Sequence, residues 1–172
     1  MLNMMFSRRC LLGGTAAVLL PGATTADIST GPQPGDGFVM VDDTSQTLLQ
    51  SDAIRRAAPP VMAWPVQQHT RRVRDGARFN QVLLLRVADD QLVAFSAICP
   101  HAGCIVSEWI AQPGLLLCPC HGSQYDPRKA GQVVVGPSPL SLPALPLAVI
   151  DRFVVVAGPF SARPGGHASR TM

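Results

Sequence analysis

The chain has 172 residues, 47% hydrophobic and 5% aromatic, with 14 Lys and Arg against 11 Asp and Glu. Residues 1–26 hold Arg8 and Arg9 and no acid, so without them 12 bases face 11 acids; the charge excess belongs to the leader, and no nucleic-acid partner is expected. Sixteen prolines and fifteen glycines cut the rest into short pieces, which argues against long helices and for strands.

Residues 1–30 read as an address rather than a fold. Ser7-Arg8-Arg9-Cys10-Leu11-Leu12 precedes an apolar, acid-free stretch ending near Ala26, the pattern of a twin-arginine signal. From Cys10 to Ala26 there are only 17 residues, interrupted by Gly13, Gly14, Thr15 and Pro21. A spanning helix needs about 20. Cleavage is therefore favoured over retention as an anchor, although Ala23-Thr24-Thr25-Ala26 is not a clean A-x-A site. The expected location is the periplasm, reached by the twin-arginine route, with an uncleaved segment at the membrane as the alternative.

The remainder is one domain by length, residues 31–160, with residues 161–172 as a tail. Residues 44–58 have room for one or two helical turns, with Ser51-Asp52 as a cap. Strands are predicted at 61–66, 81–87, 91–98, 115–117, 132–135 and 149–156. Ala88-Asp89-Asp90 reads as a hairpin turn delivering one strand to Cys99, and Gly114 as a turn delivering another to Cys118. The basic run Arg71-Arg72-Val73-Arg74 reads as a solvated face, with docking of an acidic redox partner as the alternative. His69 and His167 read as surface histidines.

Two segments carry the chemistry: Cys99-Pro100-His101-Ala102-Gly103-Cys104 and Cys118-Pro119-Cys120-His121-Gly122-Ser123. Each brings a Cys and a His to one loop, together with one further Cys. Four such ligands suit a two-iron two-sulfur cluster in which two imidazoles replace two thiolates on one iron. Two Cys and two His also match small zinc modules, but those space Cys-x(2–4)-Cys apart from a later His-x(3–5)-His, whereas here the two types are interleaved.

Through both segments and the downstream Gly136-Pro137-Ser138-Pro139-Leu140, the chain resembles the Rieske iron-sulfur family, most strongly over residues 91–160. The resemblance implies an antiparallel β fold with an inserted cluster-binding subdomain, here about residues 95–140. It implies a 2Fe-2S cluster with Cys99 and Cys118 on one iron and His101 and His121 on the other, and a Cys104–Cys120 disulfide. It makes residues 136–139 a proline loop over the cluster. Hydroxyls matching Ser123 and Tyr125 donate to a bridging sulfide and a ligand sulfur in high-potential members, so a positive midpoint is expected within the Rieske range of about −150 to +300 mV. The chain is expected to carry single electrons and has no catalytic residue of its own.

Two assemblies compete for such a carrier. One is the iron-sulfur subunit of a cytochrome bc complex. The other is the small subunit of a periplasmic oxidase, such as a molybdenum-dependent arsenite oxidase, relaying electrons from a large catalytic subunit to a cytochrome c or copper protein. Quinol-oxidising members typically read Cys-Thr-His-Leu-Gly-Cys; Pro100 and Ala102 replace the Thr and Leu here. The short leader, Asp126-Pro127-Arg128, the Pro143-Ala144-Leu145-Pro146-Leu147 segment and the ending from Gly158 to Gly166 also resemble the oxidase type more. Ring-hydroxylating systems share the ligand spacing but lack cysteines matching Cys104 and Cys120, and no room remains downstream for their mononuclear iron domain.

Overall fold

The structure, a computed structural model, describes residues 31–74 and 77–166, without the side chains of 77 and 78. The twin-arginine segment, Cys10 and His167 lie outside the described residues. Ten strands follow one another: β1 (Gly37–Met40), β2 (Val61–Val66), β3 (Val82–Ala88), β4 (Gln91–Ser96), β5 (Glu108–Ile110), β6 (Leu115–Leu117), β7 (Gln124–Asp126), β8 (Gln132–Val135), β9 (Leu147–Ile150) and β10 (Phe153–Val156). The described helical pieces are the four-residue α1 (Ala77–Asn80) and two 3-10 turns. The fold is all-β.

Two antiparallel sheets share the strands. One has the order β4-β3-β2-β1-β10-β9, the other β5-β6-β7-β8. The smaller sheet lies wholly between β4 and β9 in sequence. The chain leaving it returns along the outer edge of β4, where Leu145 N–H donates to Ala94 at 2.9 Å and Ser96 N–H to Pro143 at 2.8 Å. The edge of β4 is thereby covered, and the large sheet curls towards a barrel.

Strand β3 explains why the two halves hold together. Its run Val82-Leu83-Leu84-Leu85 is buried at every residue, the pattern of a strand covered on both faces. Val82 and Leu84 join Phe38, Ala63, Ala94, Leu145 and Val154 in one core, while Leu83 and Leu85 join Phe95, Val106, Leu116, Tyr125 and Leu142 in another. The alternation follows from the two-residue period of a strand. Each such Leu stabilises the fold by about 1.5–3 kcal/mol through burial. The second core includes Cys99 and Cys118, so the cysteines sit in the hydrophobic interior rather than on a separate loop cluster.

Three expectations need correction. Residues 149–156 form a hairpin, not one strand. Asp151 and Arg152 take φ of 47° and 75°, the two-residue turn with both central residues left-handed. Residues 44–58 hold only the 3-10 turn Ser51–Ala53, where Ser51 opens the turn instead of capping it and Gln50 provides no side-chain cap. This segment is fastened by Arg86, whose guanidinium donates to the carbonyls of Ser51, Ile54 and Asp89. The basic run is also not uniformly solvated: Arg74 donates to both carboxylate oxygens of Asp36, at 2.9 and 2.7 Å, and the Asp36 side chain is only 4% exposed.

Candidate metal centre

The two motif segments fold as the same loop twice. Cys99 N–H donates to Cys104 O at 2.8 Å and Gly103 N–H to Cys99 O at 2.9 Å; Cys118 N–H donates to Ser123 O at 2.9 Å and Gly122 N–H to Cys118 O at 3.0 Å. Gly103 and Gly122 occupy the matching position at the same left-handed φ of 73°, which a side chain would strain. Strand β4 feeds the first loop, and β6, following the turn at Gly114, feeds the second. The hairpin turn at Asp89-Asp90 lies where the sequence placed it.

Each loop roots its first cysteine in the core and lifts its histidine outward. Cys99 and Cys118 are free thiols, both 1% exposed. His101 is half-buried and His121 exposed, and their rings meet edge to face with centroids 4.6 Å apart. Cys104 and Cys120 form the disulfide that ties the two loops together, with 6.5 Å between their Cα atoms. Cys118 Sγ lies within 4.8 Å of both disulfide sulfurs. Those three sulfurs are no ligand trio, because two of them are spent on each other.

The setting of Cys118 favours its neutral thiol. Burial pushes the Cys118 thiol above its usual pKa and neighbouring Cys99 adds to this, while the backbone N–H groups of Cys120 and His121 oppose it. Tyr125, fully buried, places its hydroxyl 3.1 Å from Cys99 Sγ. Burial first, and then the contact with Cys99, raises its pKa, so the hydroxyl stays protonated. Ser123 is also fully buried, and its Oγ accepts the backbone N–H of Ser138 at 3.1 Å. The sequence marked residues 136–139 as a covering loop but not Ser138 itself; a serine flanked by two prolines, with the only N–H among the three, was the available signal.

Ala102 is exposed in the first loop, and the exposed Val135 pairs with Gln124 just after the second loop, where the chain packs Gly136 against Ser123. His69 is exposed and belongs to neither loop.

Residues 63–146 match the family model of the Rieske [2Fe-2S] domain. The putative respiratory nitrate reductase Rieske subunit of Haloferax mediterranei is 30% identical over 178 residues, covering 90% of this chain and 76% of that protein. The chain belongs to the Rieske iron-sulfur family. The cytochrome bc1 complex Rieske iron-sulfur subunit of Corynebacterium glutamicum is 35% identical over 130 residues, 65% of this chain and 32% of that subunit. Among solved structures, the plasma membrane Rieske protein of Synechocystis PCC 6803 is 29% identical, with a TM-score of 0.40 over 45% of this chain and 77% of that one. The chain thus spans about a third of the Corynebacterium subunit's length.

Family membership makes this Rieske protein an electron carrier with a 2Fe-2S cluster. Its residues fit that group. Two free thiols are buried side by side, and His101 Nδ1 is buried with no hydrogen-bond partner. A buried polar atom left unpaired costs about 1–3 kcal/mol, a cost that coordination to a metal removes.

Proposed function

We propose that Cys99 and Cys118 hold one iron of the cluster and His101 and His121 the other, and that the protein is the small electron-transfer subunit of a periplasmic oxidase such as a molybdenum-dependent arsenite oxidase. When bound, the cluster accepts and releases one electron at a time. The observation that carries the ligand assignment is the sorting of the four side chains by depth, thiols in the core and imidazoles together at the surface. Tyr125 donates towards Cys99 from a dry site and favours the more negative, reduced state. The disulfide ties the second loop to the first and the β6–β7 ladder closes the second loop at its base, so that little rearrangement accompanies electron transfer.

The exposed His121, whose ring meets that of His101, is the way in and out for the electron. The donor is a large catalytic subunit, and the acceptor a small cytochrome c or copper protein. Ala102 supports this choice over quinol oxidation, since it offers only a methyl group where quinol-oxidising members place a Leu. The Haloferax relative, named for a respiratory nitrate reductase, likewise supports service to a separate catalytic subunit. Export follows the twin-arginine route with the cluster already in place. A second reading, the iron-sulfur subunit of a cytochrome bc complex, is favoured by the 35% identity with the Corynebacterium subunit.

Redox-poised EPR of the purified protein tests the ligand set: a reduced-Rieske signal titrating above 0 mV is expected, and zinc in place of iron would overturn it. Isolation of the native assembly decides between the readings, with molybdenum expected in the oxidase and b-type haem in the bc complex. Replacing Arg8 and Arg9 by Lys is expected to block export of a fused reporter.

A further inference from the structure

We infer that the backbone N–H of Ser138 is a positioning group for the metal centre: it fixes the Ser123 hydroxyl oxygen so that the Ser123 proton is left to donate into the cluster site. This rests on the ligand set proposed above.

Ser123 closes the second loop, its carbonyl accepting Cys118 N–H at 2.9 Å. Its side chain has no exposed surface. A hydroxyl has one proton and two lone pairs, and here one lone pair is occupied by Ser138 N–H at 3.1 Å. The Ser123 hydroxyl also bears on Tyr125, whose own oxygen lies 3.1 Å from Cys99 Sγ, so with Ser138 on one lone pair its proton is turned to the ligand side of the loops. This buried donor lies two residues from His121, at the wall of the space the two loops enclose.

The covering loop is built to deliver that single amide. Pro137 and Pro139 have no N–H and fixed φ, so Ser138 is the only main-chain donor of the three. The loop approaches too closely for any side chain at Gly136, where a Cβ would fall 2.5 Å from Ser123 Cα and 2.9 Å from Gly122 O. Gly136 also has φ of 95°. On the far side, the Ser138 hydroxyl donates to Leu140 O at 2.9 Å and closes the turn. Ser138 is 6% exposed, so water does not compete for its N–H. Its hydroxyl and that of Ser123 both bear on the Tyr125 hydroxyl, so the covering loop reaches that second buried donor as well.

The test is the midpoint potential of the cluster-loaded full chain in four variants. Ser123→Ala is expected to lower the equilibrium constant for reduction about tenfold, or about 59 mV for one electron. Ser138→Pro removes the N–H and is expected to shift the midpoint in the same direction, whereas the conservative Ser138→Ala keeps the N–H and is expected to shift it by less than half as much. In the Ser123→Ala background, Ser138→Pro is expected to add nothing. A wild-type midpoint in Ser138→Pro, or an equal further drop in the double variant, would overturn the inference. An unchanged midpoint in Ser123→Ala overturns Ser123 tuning itself, and an absent Rieske signal in the unmodified protein overturns the ligand set. If Ser138→Pro does not fold, hydrogen exchange read by mass spectrometry replaces it. The Ser138 amide is expected to exchange at least tenfold faster in Ser123→Ala than in the parent, and equal exchange refutes the link.

Discussion

Tyr125→Phe removes one oxygen from a residue with no exposed surface and leaves the ring packed among Phe95, Leu116 and Leu142. The oxygen lost is the one 3.1 Å from Cys99 Sγ. A hydrogen bond to a charged acceptor contributes about 1.5–3 kcal/mol, and it acts in both oxidation states. Only the excess in the reduced state enters the potential. Taking that excess as roughly half gives about 0.7–1.5 kcal/mol, and at about 59 mV per tenfold change the midpoint falls by roughly 30–65 mV. Redox-poised EPR and film voltammetry on the loaded variant measure this directly, and an unperturbed thermal melt shows that the ring still fills its place. A fully loaded variant with the parent midpoint would refute the argument, because the hydroxyl would then interact equally with both states.

Cys118→Ala is expected to purify without iron, sulfide or the reduced-Rieske EPR signal; full iron loading would remove Cys118 from the ligand set. Replacing Cys104 and Cys120 by Ser opens a closure spanning 16 residues and is expected to cost roughly 3 kcal/mol in guanidinium unfolding, with equal stability counting against it. Asp126 supplies a pH test: burial works against its charge, but two hydrogen bonds of 3.0 Å from Arg128 and the nearby Arg128 and Lys129 charges outweigh it and hold the carboxyl below its ordinary value. Since the unfolded value lies near 3.9, the carboxylate stabilises fully above it, and the contribution is lost as pH falls through the lower folded value. Thermal melts in acid are therefore expected to decline less steeply for Asp126→Asn than for the parent, and parallel curves would contradict this.

The chemistry of the site was legible because its signal is local: two short segments hold every proposed ligand, and the strands before Cys99 and Cys118 are apolar enough to read. The hidden strands are those whose pattern is too short or too polar. Strand β7, Gln124–Asp126, has one buried apolar residue between two polar ones, and β5 begins on an exposed Glu108. The turn at Asp151-Arg152 lacks the Asn-Gly or Gly pairs that announce a left-handed bend, so the run on either side looked continuous. Nor could sequence show that Arg74 leaves the basic run to satisfy Asp36, since the two are 38 residues apart and meet only through the β1–β2 pairing.

The repeated loop explains how unequal ligand spacings serve one site. The first loop has its histidine two residues after its cysteine and the second has it three after, yet the backbone hydrogen bonds and the left-handed glycine coincide in both. The extra residue before His121 is Cys120, whose side chain turns aside to the disulfide with Cys104. Cross-linking therefore consumes the one position that breaks the symmetry, leaving two thiols in the core and two imidazoles meeting at the surface. Such a gradient of depth suits a one-electron carrier, because under the proposed assignment the thiolate ligands are shielded from water while the imidazoles stay within reach of a partner.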